Sequence, residues 1–201
     1  MFEGPQIING RTPDAQVDSQ FPDRWSPRAF SSEPLSEATI KSLLEAARWA
    51  PSSSNEQPWT YVYATTDEQR ARFVPILDKF NQIWAQHAPM LAFVMTRRMM
   101  AKSGKPNRHA QFDAGSSWLS LALEARKLGL YAHAMAGFDV DMAHEVLNAP
   151  RDVYEIMAAI AIGKYGDANQ LDDYNRKREK PSARKPVAEF AFEGPLPDSA
   201  P

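Results

Sequence analysis

The segment at residues 112–128 constrains the fold most, because it has helical length and is apolar on nearly every side. Its small and apolar members are Ala114, Gly115, Trp118, Leu119, Leu121, Ala122, Leu123, Ala125 and Leu128. A helix of this kind must be buried on every side, and Gly129 is placed to end it. Two explanations fit: the helix lies inside one chain, or it packs against its own copy across a twofold axis. Gly115, Ser116 and Ser117 favour close approach of a second helix.

Helical and extended patterns alternate along the rest of the chain. Residues 36–49 predict a helix with Ser36 as its N-cap. Thr66 is expected to open a second helix that Pro75 kinks or restarts, and Asp139 to cap a third. Four strands are predicted at residues 59–63, 90–95, 130–136 and 156–162. A chain of 201 residues with this pattern predicts one domain, residues 1–201, of the α+β class.

Composition excludes several functions. The chain has 23 Lys and Arg against 25 Asp and Glu, so we expect no nucleic-acid partner. With Cys at 0 there is no disulfide, thiolate metal site or cysteine nucleophile, and we predict no metal centre. Redox chemistry would therefore need a bound organic cofactor. The N-terminus has no signal-peptide pattern and no apolar run approaches a membrane span, so we expect a soluble, cytoplasmic protein.

Two polar elements are candidates for binding. Residues 50–59 are rich in hydroxyls and amides that both donate and accept hydrogen bonds, which suits the edge of a polar heterocycle. An ordinary turn is the alternative. Residues 24–30 place Arg24 and Arg28 on either side of Ser26, which would suit a phosphate because arginine binds phosphate oxygens bidentately. A solvated basic turn is the alternative there.

Together, the pattern Arg-x-Ser-x-Arg-x-Phe at residues 24–30 and the pattern Ala-Pro-Ser-Ser-x-Asn-x-Gln-Pro-Trp at residues 50–59 resemble the nitroreductase family of FMN-dependent oxidoreductases. The resemblance covers about residues 24–192. It implies a three-layer sandwich with a mixed central sheet between helices, assembled as an interlocked homodimer. It further implies an enzyme that passes hydride from NADH or NADPH through FMN to a small acceptor such as a nitroaromatic or quinone.

The resemblance also implies which residues bind FMN. In one subunit the phosphate, ribityl chain and ring edge would meet Arg24, Trp25, Ser26, Arg28, Asn81, Ala136, Gly137 and Arg184. The partner subunit would supply Pro51, Ser52, Ser53, Asn55 and Gln57. The family often has a lysine three residues after the asparagine, and here that position is Trp84. We assign no catalytic acid or base, because none of the four histidines, His87, His109, His133 and His144, falls in a motif that requires one.

Three further segments of the chain have predicted roles. Residues 1–21 have no sustained period and are read as an N-terminal arm. Residues 97–108 would either roof the pocket as a mobile segment or form an ordinary exposed connection. Residues 166–201 are read as an extension that wraps the partner, with residues 187–192 adding a strand to the partner's sheet.

Two other functions are consistent with the same residues. One is an FMN-binding protein without turnover, for storage or sensing. The other is an interaction protein that acts through its basic tail, which is rich in Lys and Arg from residue 176 to residue 185. In that case residues 50–59, called the polar loop below, are only a turn.

Overall fold

The computed structural model describes residues 9–197; the first eight residues of the predicted arm and the last four of the predicted extension lie outside the described part. The α-helices are α1 (Gln20–Asp23), α2 (Glu37–Arg48), α3 (Asp67–Phe73), α4 (Lys79–Ala85), α5 (Ala110–Lys127), α6 (Val140–Val146) and α7 (Asp173–Lys177). The strands are β1 (Trp59–Ala64), β2 (Met90–Arg97), β3 (Tyr131–Met135) and β4 (Tyr154–Gly163).

The predicted helix starts are confirmed by their caps. The Ser36 hydroxyl accepts the Thr39 N–H at 3.1 Å, and the Asp139 carboxylate accepts the Met142 N–H at 2.9 Å. After α3, Pro75 lies in a 3-10 turn, Val74–Ile76, and the chain restarts as α4 behind an Asp78 cap. The predicted restart therefore occurs, because proline cannot donate the backbone hydrogen bond that a continuous helix needs.

The four strands form one sheet in the order β1-β2-β4-β3. Every neighbouring pair is antiparallel. The α+β class is confirmed, but the four strands of the described chain make an antiparallel sheet instead of the expected mixed one. Each strand returns beside its spatial neighbour in the opposite direction, so no parallel crossover is made among residues 9–197.

Helices cover both faces of the sheet and give the predicted three layers. Along β2, Met90, Ala92 and Val94 face the layer of α2 and α5, while Leu91, Phe93 and Met95 face the layer that includes Phe73 and Trp84. Side chains alternate faces along a strand, so a strand covered on both faces is apolar throughout. The continuous apolar run predicted for this strand is explained by this burial.

Residues 187–192 do not form the predicted strand. The chain makes a 3-10 turn at Val187–Glu189, and the Val187 N–H donates to the Asp14 carboxylate at 3.0 Å. A strand needs a free sheet edge beside it, and within the described residues of a single chain this segment meets none. The prediction concerned the sheet of a partner subunit, so it stays a prediction that a single chain does not test.

Residues 97–108 form an ordered turn instead of a loose segment. Met99 and Pro106 pair as an antiparallel bridge, and the Met100 N–H donates to the Lys105 carbonyl at 2.8 Å. The Ala101 N–H also donates to the carboxylate of the buried Glu56 at 2.8 Å. The turn is therefore tied to the polar loop that precedes β1.

Candidate functional site

A basic cavity of about 600 Å³ lies beside β3. Its lining is rich in cations and is drawn from four separate parts of the chain: Arg11, Arg24, Trp25, Ser26, Arg28, His133, Lys177, Arg178, Lys180, Pro181, Ser182 and Arg184. Pockets of this volume accept small molecules and cofactors. Residues 24–30 are called the arginine-serine element below. The structure brings four predicted residues of this element, Arg24, Trp25, Ser26 and Arg28, together with Arg184.

Alternation along an extended backbone builds one wall of this cavity. Trp25 and Pro27 are buried, whereas Arg24, Ser26 and Arg28 are partly exposed, as expected when successive side chains point to opposite faces. Trp25 packs against two tyrosines, the buried Tyr131 at 5.9 Å and the exposed Tyr165 at 5.8 Å between ring centroids. The buried residues anchor the turn while the polar ones face the cavity.

The segment at residues 177–184, here called the basic strap, forms the opposite wall. The Glu179 carboxylate accepts the Arg28 N–H at 2.9 Å and the Ala29 N–H at 2.8 Å. Arg11 donates through Nε to the Ser182 carbonyl at 2.9 Å and through Nη1 to the Arg24 carbonyl at 2.7 Å. The strap is thus fastened to its own chain at two points.

Positive charge in the cavity is not neutralised by the protein. Within residues 9–197, nine carboxylate ion pairs form elsewhere, but none involves the seven Lys and Arg side chains that line the cavity. Burial, followed by repulsion from Arg184 and Arg11, lowers the pKa of Arg24. A bound anion would relieve this repulsion, so the donor set fits a phosphate-bearing ligand.

His133 joins the sheet to the arginine-serine element. Its Nδ1 lies 2.7 Å from the Pro27 carbonyl, so this nitrogen carries the proton and donates it. Its ring lies against Trp84, with centroids 4.6 Å apart. Burial, together with repulsion from Arg28 and Arg24 and partly opposed by the bond to Pro27, lowers the pKa of His133 to about 4. The imidazole is neutral at pH 7.

Asn81, in the first turn of α4, contacts Gly137. The Asn81 Nδ2 donates to the Gly137 carbonyl at 3.0 Å, and the Asp78 N–H donates to the same carbonyl at 3.0 Å. A Cβ at position 137 would collide with the Asp78 carboxylate. Glycine is therefore required here by a close approach within the chain itself, and the neighbouring Ala136 is exposed.

The polar loop is held in a conformation that L-residues seldom adopt. Positive φ angles occur at Ser54, Asn55 and Gln57, at 52°, 54° and 46°. The Ser52 hydroxyl accepts the Gln57 N–H at 3.0 Å, and the carboxylate of Asp113, only 3% exposed, accepts the Ser53 N–H at 3.2 Å. Backbone strain of this kind costs about 1–3 kcal/mol per residue and is concentrated at functional sites.

The polar loop and the basic cavity lie at opposite corners of the sheet. Trp59, at the end of the loop, is level with Thr96 and Glu155, whereas His133 pairs with Ala161 near the other end of β4. The two points are separated by roughly 20 Å along the strands and roughly 14 Å across them. The five predicted residues of the loop, Pro51, Ser52, Ser53, Asn55 and Gln57, therefore do not line the cavity of their own chain.

Four contributors were not singled out by the sequence analysis. Arg11 lies in the N-terminal arm, whose sequence has no hydrophobic periodicity. Glu179 lies among Lys and Arg residues, where a single acidic side chain would be expected to be solvated. His133 and Asp113 act through long-range contacts to Pro27 and Ser53. A buried charge at the start of an apolar helix was a signal for Asp113, since buried carboxylates need partners.

The chain is similar to several known proteins. Residues 22–79 match the family profile described as Nitroreductase family. A Streptomyces coelicolor protein, provisionally named NADH dehydrogenase/NAD(P)H nitroreductase, is 31% identical over 148 residues, which are 64% of this chain and 73% of that protein. Nitrobenzene nitroreductase from Ectopseudomonas oleovorans is 45% identical over 56 residues, covering 28% of this chain and 24% of that one.

A solved structure is similar over nearly the whole chain. The crystal structure of an oxidoreductase containing FMN superposes with a TM-score of 0.89 at 42% identity, covering 94% of this chain and 97% of the other. No helix within residues 9–197 is both long enough and apolar enough to cross a membrane.

Proposed function

The chain belongs to the nitroreductase family, and from that premise we propose that it transfers hydride from NADH or NADPH, by way of FMN, to a nitroaromatic, quinone or similar acceptor. It is an FMN-dependent NAD(P)H oxidoreductase. The observation that carries the proposal is the basic cavity, in which seven cations without carboxylate partners face one space.

Different cations of the cavity would bind different parts of the cofactor. Arg24 and Arg184, joined by Arg11, would bind the phosphate, since after burial Arg184 is the charge that most lowers the pKa of both Arg24 and Arg11. Ser26 lies between this group and Arg28, and its hydroxyl is 3.5 Å from Arg24 Nη1. A hydroxyl in that place suits the ribityl chain, which carries hydroxyls of its own.

The ring of the cofactor would lie along Arg28, Asn81, Ala136 and Gly137. Arg28 stays charged at any working pH and favours negative charge on whatever lies beside it. Bound FMN supplies the two-electron chemistry, accepting hydride from the nicotinamide and passing it to the oxidised acceptor. The protein's own tasks are to bind, orient and exclude water, and no side chain is needed as a general acid or base.

We further propose that the active unit is a homodimer with FMN shared between subunits. The exposed side of α5 carries Phe112, 77% exposed, Leu119, 43% exposed, and the open position Gly115, which leave an apolar strip. A twofold contact along this strip would bury it. It would also bring the polar loop of one chain towards the cavity of the other. Within a single chain the loop and the cavity lie at opposite corners of the sheet. Each chain is a single domain, and residues 166–201 would reach the partner.

The visible spectrum of the pure protein tests this function. We expect a yellow protein whose flavin absorbance is bleached by anaerobic NADH or NADPH and restored by a nitroaromatic or quinone. A flavin that binds but is never bleached by either nicotinamide would support storage or sensing instead. A colourless protein that takes up no FMN would overturn the proposal.

A further inference from the structure

The seven cations of the basic cavity differ in their charged neighbours. After burial, Arg184 lowers the pKa of both Arg11 and Arg24, and Arg11 also lowers the pKa of Arg24. Burial lowers the pKa of Arg28, the Glu179 carboxylate opposes this, and Arg178 lowers it further. Arg28 therefore has Arg178 as its strongest cationic neighbour and is grouped apart from the first three guanidinium groups.

One phosphate cannot balance both groups. A phosphomonoester carries about 1.5–2 negative charges at pH 7, which suits the group of three arginines. Glu179, whose carboxylate raises the pKa of Arg28, brings one negative charge to a group that also contains Arg178, Lys177 and Lys180. In the described part of the chain no carboxylate pairs with these four side chains, and the nearby Glu179 is engaged by backbone N–H groups.

Arg178 is held in place by an aromatic residue. Its Nη1 donates to the Tyr174 hydroxyl, and its guanidinium lies over the Tyr174 ring at 5.0 Å from the centroid. Tyr174 in turn lies beside Phe80, with ring centroids 6.4 Å apart. A long side chain fixed in this way loses less conformational entropy when it binds a ligand than a freely rotating one does.

The two aromatic rings beside Arg178 are exposed. Phe80 is 70% exposed and Tyr174 is 56% exposed. Exposed aromatic rings next to an unpaired guanidinium match a ligand that is both flat and anionic. Phe80 immediately precedes Asn81, so this surface adjoins the proposed ring end of the cofactor site.

We propose that Arg178, Tyr174 and Phe80, together with Arg28, form a second anion subsite that selects an aromatic acceptor carrying a carboxylate. This inference rests on the proposed function for the acceptor's role, but binding of the carboxylate can be measured without turnover. The nitrobenzoates are the simplest ligands of this class, and the corresponding nitrobenzamides have the same shape without the charge.

Calorimetric titration of the oxidised, FMN-loaded protein tests the subsite, because no electron donor is present and no reaction occurs. We expect 4-nitrobenzoate to bind at least about fivefold more tightly than 4-nitrobenzamide, and the difference to shrink as salt is added. Arg178→Gln should abolish the difference by weakening 4-nitrobenzoate alone. Tyr174→Phe, which keeps the ring but frees Arg178, should reduce it in part.

Arg176→Gln is the matched control. Arg176 lies two residues away, is about half exposed, pairs with Asp173 and does not line the cavity. This variant should bind both compounds as the wild type does. Equal melting temperatures of the variants, measured with FMN bound, would confirm that their folds are intact.

Three results would overturn the subsite. The first is equal affinity of the wild type for the charged and neutral compounds. The second is an equal loss of both in Arg178→Gln. The third is a KM for NADPH, but not for NADH, that rises in Arg178→Gln while 4-nitrobenzoate binding is unchanged, which would assign the cation to the donor's phosphate. Failure to oxidise a nicotinamide is a separate outcome that bears on the proposed function, since titration of the FMN-loaded protein needs no electron donor.

Discussion

Both carboxylate oxygens of Glu179 lie 2.9 Å from the backbone nitrogen of Arg28, although 151 residues separate the two in sequence. The contact fastens an acidic residue of the basic strap to the backbone of the arginine-serine element. Glu179 is only partly exposed, and burial raises its pKa while the two backbone N–H groups oppose this. The carboxylate is thus used to close the cavity without neutralising its guanidinium groups.

Replacing Glu179 should loosen the basic strap. Glu179→Ala removes a charged acceptor from two N–H groups, so FMN affinity should fall by about 1–2 kcal/mol. Amide hydrogen exchange at residues 177–184 should become faster. Glu189→Ala, at an exposed acidic position later in the same extension, serves as the control and should leave both measurements unchanged. Wild-type exchange rates in Glu179→Ala would show that the strap is held by other contacts.

Arg184 should distinguish FMN from riboflavin. Within residues 9–197 its side chain hydrogen-bonds only to residues 182 and 183, which leaves it available to a phosphate. Arg184→Ala should weaken FMN binding by roughly 1.5–3 kcal/mol, as expected for a charged hydrogen bond, and leave riboflavin binding unchanged. Fluorescence titration with both ligands measures this, with Lys185→Ala as the control. A parallel loss for riboflavin would mean that Arg184 does not address the phosphate.

His133 should make the stability of the cofactor-free protein depend on pH. Its pKa is lowered to about 4 in the folded chain from the ordinary histidine value of 6.5, so between these two pH values the unfolded chain binds a proton that the folded chain does not. The contribution of His133 to stability is complete above pH 6.5 and is lost as the pH falls towards 4. From pH 7 to pH 5 the loss attributable to His133 is about 2 kcal/mol.

Denaturant unfolding at fixed protein concentration measures this pH effect. His133→Asn keeps an N–H close to the position of Nδ1 and cannot titrate, so it should lose about 2 kcal/mol less than the wild type between pH 7 and pH 5. His87→Asn, at an exposed histidine, should follow the wild type. If all three proteins lose the same free energy, His133 is not buried as a neutral imidazole.

Asp113 should be required for the shape of the polar loop. Asp113→Ala leaves the Ser53 N–H without its acceptor and removes a buried charge that the loop encloses, so unfolding should become easier by about 1–3 kcal/mol. Asp113→Asn retains an acceptor oxygen and should cost less. Thermal unfolding and protease cleavage within residues 52–57 measure the two effects. Equal stability of Asp113→Ala and wild type would mean that the strained φ angles are set by the loop alone.

The sequence predicts local features of this fold well and long-range contacts poorly. The caps at Ser36, Thr66 and Asp139 and the restart after Pro75 depend on residues within four positions of one another, so a pattern reveals them. The pairing of Glu179 with Arg28 depends on tertiary folding, which no local period encodes. The strand predicted at residues 187–192 is a related case, because it would form only where a partner subunit offers a sheet edge.

The candidate site was predicted in the same uneven way. Arg24, Ser26 and Arg28 were found because motif and alternation coincide there, whereas Arg11 and His133 reach the cavity from unrelated segments. Gly137 was expected to permit close approach of a flat ring, and the structure gives a further reason, the Asp78 carboxylate packed against it. The placement of the polar loop at the far corner of the sheet could not be read from its own residues.

The distance between the polar loop and the basic cavity gives the sharpest test of a shared site. Arg28→Ala damages the cavity side, and a double variant with Ser52→Ala and Asn55→Ala damages the loop side. Each should be inactive alone. When the two chains are unfolded together in equal amounts and refolded with FMN, a mixed dimer collects both defects in one site and none in the other.

The intact site of the mixed dimer should work. Random pairing makes about half of the dimers mixed, each with one good site of two, so activity should recover to roughly a quarter of the wild-type value. Each variant refolded alone is the control, and exchange of subunits is checked with a size tag on one chain. If both variants fold, dimerise and exchange, and the mixture still shows only the summed activity of its parents, the loop does not serve its partner. The site would then have to be completed within one chain, across the full diagonal of its own sheet.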